Sequence, residues 1–196
     1  MKKVMVLLSE RYEETEALIV TTYLRRADIF VDTVAIGDSL DTFGDHCVPI
    51  RADKLFADID PDDYAAVITP GGLGGTEALA ADKRVTDLIA DFYRKGKVVG
   101  SICASPIVLN AAGIAAEIEG VCYPGCEERV GFKVTHEDAV YVDRNVITSR
   151  GPLTAPFFAL KLIEVLAGHE AAQAVAGQIL FPLVKKTLTY CTCFDE

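Results

Sequence analysis

Short apolar runs alternate with amphipathic stretches from one end of the chain to the other. Val4 to Leu8 is apolar throughout, as a strand buried on both faces requires. Glu13 to Ala27 has helical spacing and an acidic first turn, where the helix dipole favours negative charge. Ile29 to Ile36 reads as a second strand, Val48 to Arg51 as a short extended piece, and Ala65 to Thr69 as a buried strand running into Pro70-Gly71-Gly72. Helices are predicted over Thr76 to Ala81 and Lys83 to Arg94, then a strand over Lys97 to Ile102. A further helix starts after Cys103 and ends near Gly113. Gly120 to Ile147 is strand-rich and irregular, with Asp143-Arg144-Asn145 as a hairpin turn between Val140–Val142 and Val146–Ile147. Two helices, Leu153 to Ala167 and His169 to Leu180, close the pattern.

Such βαβ alternation predicts a mostly parallel sheet covered by helices on both faces. In sheets of this kind the ligand site lies beyond the carboxyl ends of the strands. Three segments meet that condition: Ser9 to Tyr12, Pro70 to Gly75, and Cys103.

Composition narrows the picture. A chain of 196 residues that is 51% hydrophobic can bury a substantial core as a single domain over residues 1–196. With 19 basic and 29 acidic residues the formal charge is −10, and no Lys/Arg run exceeds two, so a nucleic-acid partner is not expected. The apolar run at the N-terminus is too short for a signal peptide or a membrane span. Six cysteines without framework spacing fit a reducing cytoplasm. Cys122-x-x-x-Cys126 and Cys191-x-Cys193 lack a matching pair to complete a four-ligand zinc set, so neither metal nor cofactor is expected.

The chemistry concentrates on Cys103. It follows a strand and opens a predicted helix, the setting in which a nucleophile stands exposed on a strained bend, with Gly100 and Ala104 small enough to permit it. A thiol at a helix N-terminus is expected to have a lowered pKa, although a buried inert cysteine is the bland alternative. Glu16 shares the apolar stripe of its helix with Val20, Tyr23, Leu24 and Ala27, whereas Glu14 is expected to point away. An inward-facing acid must be protonated or partnered, so Glu16 either meets the Cys103 sulfur or, with Glu13, bonds first-turn amides. Gly71-Gly72-Leu73-Gly74-Gly75 matches neither phosphate-loop nor dinucleotide spacing. It reads as a turn offering amides to an oxyanion, or as a tight turn only.

Taken in order, Glu13-Glu14-Thr15-Glu16, Leu24-Arg25-Arg26-Ala27, Pro70-Gly71-Gly72, Ile102-Cys103-Ala104 and Thr148-Ser149-Arg150-Gly151-Pro152 resemble the ThiJ/PfpI superfamily. The resemblance is to the branch of the parkinsonism-associated protein deglycase and bacterial YajL, and it spans nearly the whole chain. It implies an α/β flavodoxin-like three-layer sandwich with a nucleophile-elbow cysteine, assembled as a homodimer. By position, Cys103 resembles the family nucleophile and Glu16 its carboxylic-acid partner. Gly72 and Ala104 resemble the amides that bind an oxyanion or oxidised sulfur. Arg26 and Arg150 match family arginines near the dimer interface, and His46 falls where another arginine stands. Human-type members place a histidine where this chain has Tyr123, and tyrosine, with an ordinary pKa of about 10, is a poor general base at neutral pH. Peptidase members carry histidine directly after the nucleophile, where this chain has Ala104, so a Cys-His peptidase is not expected. Adjacent His136-Glu137, in a predicted β region, is a poor match for an amidotransferase triad.

The resemblance implies a cysteine-dependent deglycase or glyoxalase III-like enzyme acting on 2-oxoaldehydes or their early protein adducts. The competing reading is a redox sensor or oxidation-gated chaperone that stores Cys103 as a sulfinate. Nothing in these residues supports a third label, thiazole monophosphate biosynthesis.

Overall fold

The computed structural model describes residues 3–190. β1 (Lys3–Leu8) alternates strictly: Val4, Val6 and Leu8 enter one apolar cluster, while Met5 and Leu7 enter another on the opposite face. That two-sided burial is why the strand carries no polar alternation. α1 (Glu14–Arg26) leads to β2 (Phe30–Ala35), which pairs parallel to β1. β3 (Asp41–Phe43) and β4 (Pro49–Arg51) form a separate antiparallel hairpin, and β5 (Lys54–Leu55) returns to the sheet edge beside β2.

β6 (Ala66–Thr69) is followed by α2 (Leu73–Ala81) and α3 (Lys83–Arg94), and β7 (Val98–Ile102) by α4 (Pro106–Ala111). A small parallel pair, β8 (Glu119–Gly120) and β9 (Val134–Thr135), flanks α5 (Glu127–Val130). β10 (Val140–Asp143) and β11 (Val146–Ser149) form the hairpin predicted around Asp143-Arg144-Asn145. α6 (Ala155–Ala167), α7 (His169–Gln178) and α8 (Phe181–Tyr190) follow.

The main sheet has the order β10-β11-β7-β6-β1-β2-β5, and every pairing in it is parallel except β10 with β11. Residues of α1, α6 and α7 pack with the cluster on one face, and those of α2, α3 and α4 with the cluster on the other. This is the predicted sandwich. No helix among the described residues is long and apolar enough to cross a membrane.

Three expectations need correction. α2 begins at Leu73, so Gly74 and Gly75 belong to the helix and only Gly71 and Gly72 form the turn, the latter at φ +83. Gly75 N–H donates to Arg11 O at 3.1 Å, and that anchor across to the first loop starts the helix early. Cys103 does not open α4: it begins a turn over 103–105, and the helix starts at Pro106, whose fixed φ suits the first helical position. Two closing helices are expected, but a third, α8, follows Leu180, itself at φ +59.

Candidate active site

Backbone bonds tie the first two loops to each other and fix Cys103 from the far side. Glu13 N–H donates to Gly71 O at 2.9 Å, and Cys103 N–H donates to Ser149 O at 2.9 Å at the end of neighbouring β11. Tyr123 N–H donates to Cys103 O at 2.8 Å. These bonds hold Cys103 at φ +66, a left-handed conformation costing a non-glycine residue on the order of 1–3 kcal/mol. Strain sustained at a strand's carboxyl end marks a position fixed by its surroundings.

Glu16 settles the alternative left open by its helical position. It is fully buried, its Oε2 accepts from the Gly71 amide at 2.7 Å, and its carboxyl meets the Cys103 thiol. Oε1 is buried and makes no hydrogen bond. Glu13, by contrast, does bond its own first turn, Oε1 accepting from Thr15 N–H at 3.2 Å. Burial pushes the Glu16 carboxyl up to about 7, against the pull of the Gly71 amide and the Cys103 thiol. The approach is so close that a Cβ on Gly71 would stand 2.5 Å from Cys103 Cβ and 2.7 Å from Glu16 Oε2. Only glycine fits between acid and thiol.

The expected lowering of the Cys103 pKa is overturned. Burial, and then the Glu16 carboxylate, push the thiol up to about 12, although the amides of Ala104 and Gly72 bond the sulfur and pull the other way. The physical reason is that a carboxylate and a thiolate cannot share one buried site. The two groups titrate as a pair, and one proton belongs to both. In the one-proton state the raised thiol holds that proton beside a Glu16 carboxylate, and its transfer to Glu16 is what gives a thiolate facing two amides.

The sulfur opens on a pocket of about 320 Å³ bounded by Glu13, Leu73, Tyr123, Cys126 and Pro152. Tyr123 is half-exposed in this wall. A larger groove of about 430 Å³, lined by Phe157 and Phe181 among others, contains no thiol. Sequence reasoning missed Leu73, Cys126 and Pro152. Leu73 lies in the glycine-rich segment and Pro152 in the motif from Thr148 to Pro152, both singled out for other residues, while Cys126 was hinted at only by its four-residue spacing from Cys122.

Glu14 does not point away. It is buried, its Oε1 accepts from the amides of His46 at 2.8 Å and Val48 at 3.2 Å, and its Oε2 lies 3.0 Å from His46 Nδ1. The loop of the β3–β4 hairpin folds over the first turn of α1 and encloses it. Burial opposes its charge, but His46 and the amides outweigh burial and hold the carboxyl below its ordinary value, while His46 is raised by the same contact. Glu13, Glu14 and His46 bring potential ligand atoms within 4.8 Å of one another, and the structure uses them as an ion pair. Cys122 and Cys126 join no such group among the described residues. Cys191 and Cys193 lie outside the described residues.

Arg26 is exposed in the last turn of α1, about 15 Å along the helix from Glu16. Arg150 is partly buried after β11, with its amide bonded to Thr154 Oγ1 at 3.2 Å. Neither arginine lines the Cys103 pocket, nor does His46.

Comparison with known proteins places this geometry. The profile of the DJ-1/PfpI family matches residues 2–165. The chain is 35% identical to protein dj-1beta of Drosophila melanogaster, over 91% of this chain and 97% of that one. It is 30% identical to the glutathione-independent glyoxalase DJ-1 of Schizosaccharomyces pombe, over 93% of this chain and the whole of the other. The solved structure of oxidised Toxoplasma gondii DJ-1 superposes with a TM-score of 0.88 at 33% identity, covering 92% and 98% of the two chains. The chain therefore belongs to the DJ-1/PfpI family.

Proposed function

We propose that the protein is a cysteine-dependent glyoxalase or deglycase acting on 2-oxoaldehydes or their early protein adducts, with Cys103 as nucleophile. One observation carries this reading: a buried carboxyl with a pKa near 7 lies against a thiol whose sulfur faces two backbone amides and an open pocket. The glyoxalase names of relatives in Schizosaccharomyces pombe and Caenorhabditis elegans support the same reaction class.

The steps follow from the shared proton. The Cys103 thiolate adds to the aldehyde carbon, and the resulting oxyanion takes the proton from Glu16, giving a hemithioacetal and a carboxylate. That carboxylate removes the hydrogen from the former aldehyde carbon and returns it to the neighbouring carbon. A base with a pKa near the working pH can do both. The product is a thioester of a 2-hydroxy acid, which water cleaves to release the acid and restore the thiol. The amides of Gly72 and Ala104 steady the charge at the reacting centre. Tyr123, in the pocket wall, serves as a hydrogen-bond donor to the substrate. In this reading the chain acts as a homodimer, with Arg26, His46 and Arg150 at or near the contact.

Methylglyoxal consumption with stoichiometric lactate formation is the test. Cys103→Ser is expected to lower it by about 10³-fold or more. Equal rates in wild type and variant would overturn the proposal.

The same environment favours a second reading. A sulfinate on Cys103 would find a neutral acid and two amides as donors, so storage of oxidised sulfur competes with turnover.

A further inference from the structure

Four of the six cysteines lie among the described residues, and they differ sharply in what they face. Cys47 is exposed at the tip of the β3–β4 hairpin, and Cys122 is sealed in the core. Cys126 is nearly buried, and what it opens on is the Cys103 pocket itself. Two backbone bonds bring it there: Tyr123 N–H donates to Cys103 O at 2.8 Å, and Cys126 N–H donates to Tyr123 O at 3.0 Å. The turn between them passes through Gly125 at φ +90, with open space around its Cα, and runs into the single-turn helix α5. The Cys126 backbone is held, its O accepting from the amides of Arg129 and Val130 at 3.0 Å each, so approach to Cys103 falls to the two side chains across the pocket that both line.

We infer that Cys126 is the resolving thiol for Cys103: after a hydroperoxide oxidises Cys103, Cys126 captures the product as an intramolecular Cys103–Cys126 disulfide. In the first step the Cys103 thiolate attacks one peroxide oxygen. An S–O bond forms, the O–O bond breaks, and the leaving oxygen takes the proton held by Glu16, giving a sulfenic acid and an alcohol, or water when the oxidant is hydrogen peroxide. In the second, the Cys126 sulfur attacks the sulfenic sulfur. The S–S bond forms, the S–O bond breaks, and the hydroxyl departs as water with the proton from Cys126. Two thiols have lost two electrons to one peroxide.

Capture diverts Cys103 from a second peroxide, which would carry it to the sulfinate that ordinary thiols do not reverse. A disulfide is returned by an external dithiol. It also occupies the pocket, so aldehyde chemistry stops until the bond is reduced.

The test reads mass and is independent of aldehyde turnover, so failure of the glyoxalase reading leaves it standing. Reduced wild-type protein is treated with a few equivalents of hydrogen peroxide, unfolded in N-ethylmaleimide, and weighed intact and as peptides. The expected product carries label on four of its six thiols and yields one cross-linked peptide pair containing Cys103 and Cys126. Dithiothreitol restores all six sites. In Cys126→Ser, and separately in Cys126→Ala, Cys103 gains two oxygens at the same dose. Wild-type protein that gains two oxygens on Cys103 while Cys126 remains labelled would overturn the inference. So would linkage of Cys103 to any other cysteine. If either variant fails to fold, the wild-type peptide map decides alone.

Discussion

At the scale of single residues the site reduces to one proton shared by Glu16 and Cys103. Both groups are raised, Glu16 from 4.5 to about 7 and Cys103 from 9.0 to about 12, so the folded state favours their neutral forms. A raised pKa contributes stability that is complete below the unfolded value and is lost as pH rises through the folded value. For Glu16 that window runs from 4.5 to about 7, and for Cys103 from 9.0 to about 12. Wild-type stability to denaturant is therefore expected to fall between pH 5 and pH 8, by on the order of 2–3 kcal/mol. Glu16→Gln keeps an acceptor for the Gly71 amide but cannot ionise, and its stability should stay level across that window. Parallel curves for the two proteins would contradict the assignment. Turnover should rise through about pH 7 in wild type, and Glu16→Gln should lose about 10²–10⁴-fold together with that inflection. Cys103 and Glu16 were both legible in the sequence, one from its place after a strand and the other from its stripe on a helix. The direction of the Cys103 shift was not, because position after a strand says nothing of how deeply the thiol is buried, the larger of the two causes that raise it. Glu14 was misread for the same reason: the hairpin that buries it lies some thirty residues along the chain.

At the scale of elements, two glycines do what no other residue can. Gly71 separates acid from thiol, and a Cβ there would collide with both, so Gly71→Ala is expected to force Glu16 and Cys103 apart. The expected readout is near-complete loss of lactate formation with the far-ultraviolet circular dichroism retained. Retention of more than about a tenth of wild-type activity would argue against the close approach, since small misplacements at a reacting centre cost on the order of 10²-fold. Gly44 has the same relation to Glu14: a Cβ would fall 2.1 Å from its Cδ. Gly44→Ala should release the hairpin loop from the Glu14 carboxylate, lower His46 toward the ordinary histidine pKa, and destabilise the fold by about 1–3 kcal/mol. An unchanged His46 titration by NMR would contradict it. The strands β1 and β6 were legible as apolar runs too short for a helix and bounded by turn residues, and β2 and β7, which carry Asp32, Thr33 and Ser101, from their Val and Ile. The early start of α2, the late start of α4 and the β3–β4 hairpin were not. The first is set by the bond from Gly75 to Arg11 and the hairpin is tied down by that from Arg11 N–H to Phe43 O, neither of which leaves a periodic signal, whereas α4 waits for Pro106.

At the scale of the whole molecule, the parallel sheet gathers three loops at the carboxyl ends of its strands, and the pocket takes Gly72, Leu73, Cys103 and Ala104 from the second and third, with Glu13 just after the first. That convergence was legible from the βαβ alternation alone. The pocket wall was legible only in part: Leu73 and Pro152 sit in motifs the sequence singles out, whereas Cys126 comes from the irregular stretch between β8 and α5. Tyr123 stands in the wall at the position where the sequence resemblance leads one to expect a histidine. Half-exposed beside the thiol, it is expected to limit turnover, and Tyr123→His should raise methylglyoxal turnover several-fold around pH 7. A fall in turnover would show that the phenol itself is required. The central claim, that aldehyde chemistry passes through a covalent adduct on Cys103, is tested most directly by quenching the wild-type protein in acid during methylglyoxal turnover and mapping the adduct. A gain of about 72 Da confined to Cys103 and cleaved by hydroxylamine, as a hydroxyacyl thioester must be, is the predicted result. Turnover with Cys103 unmodified, or with the adduct on another cysteine, would contradict it.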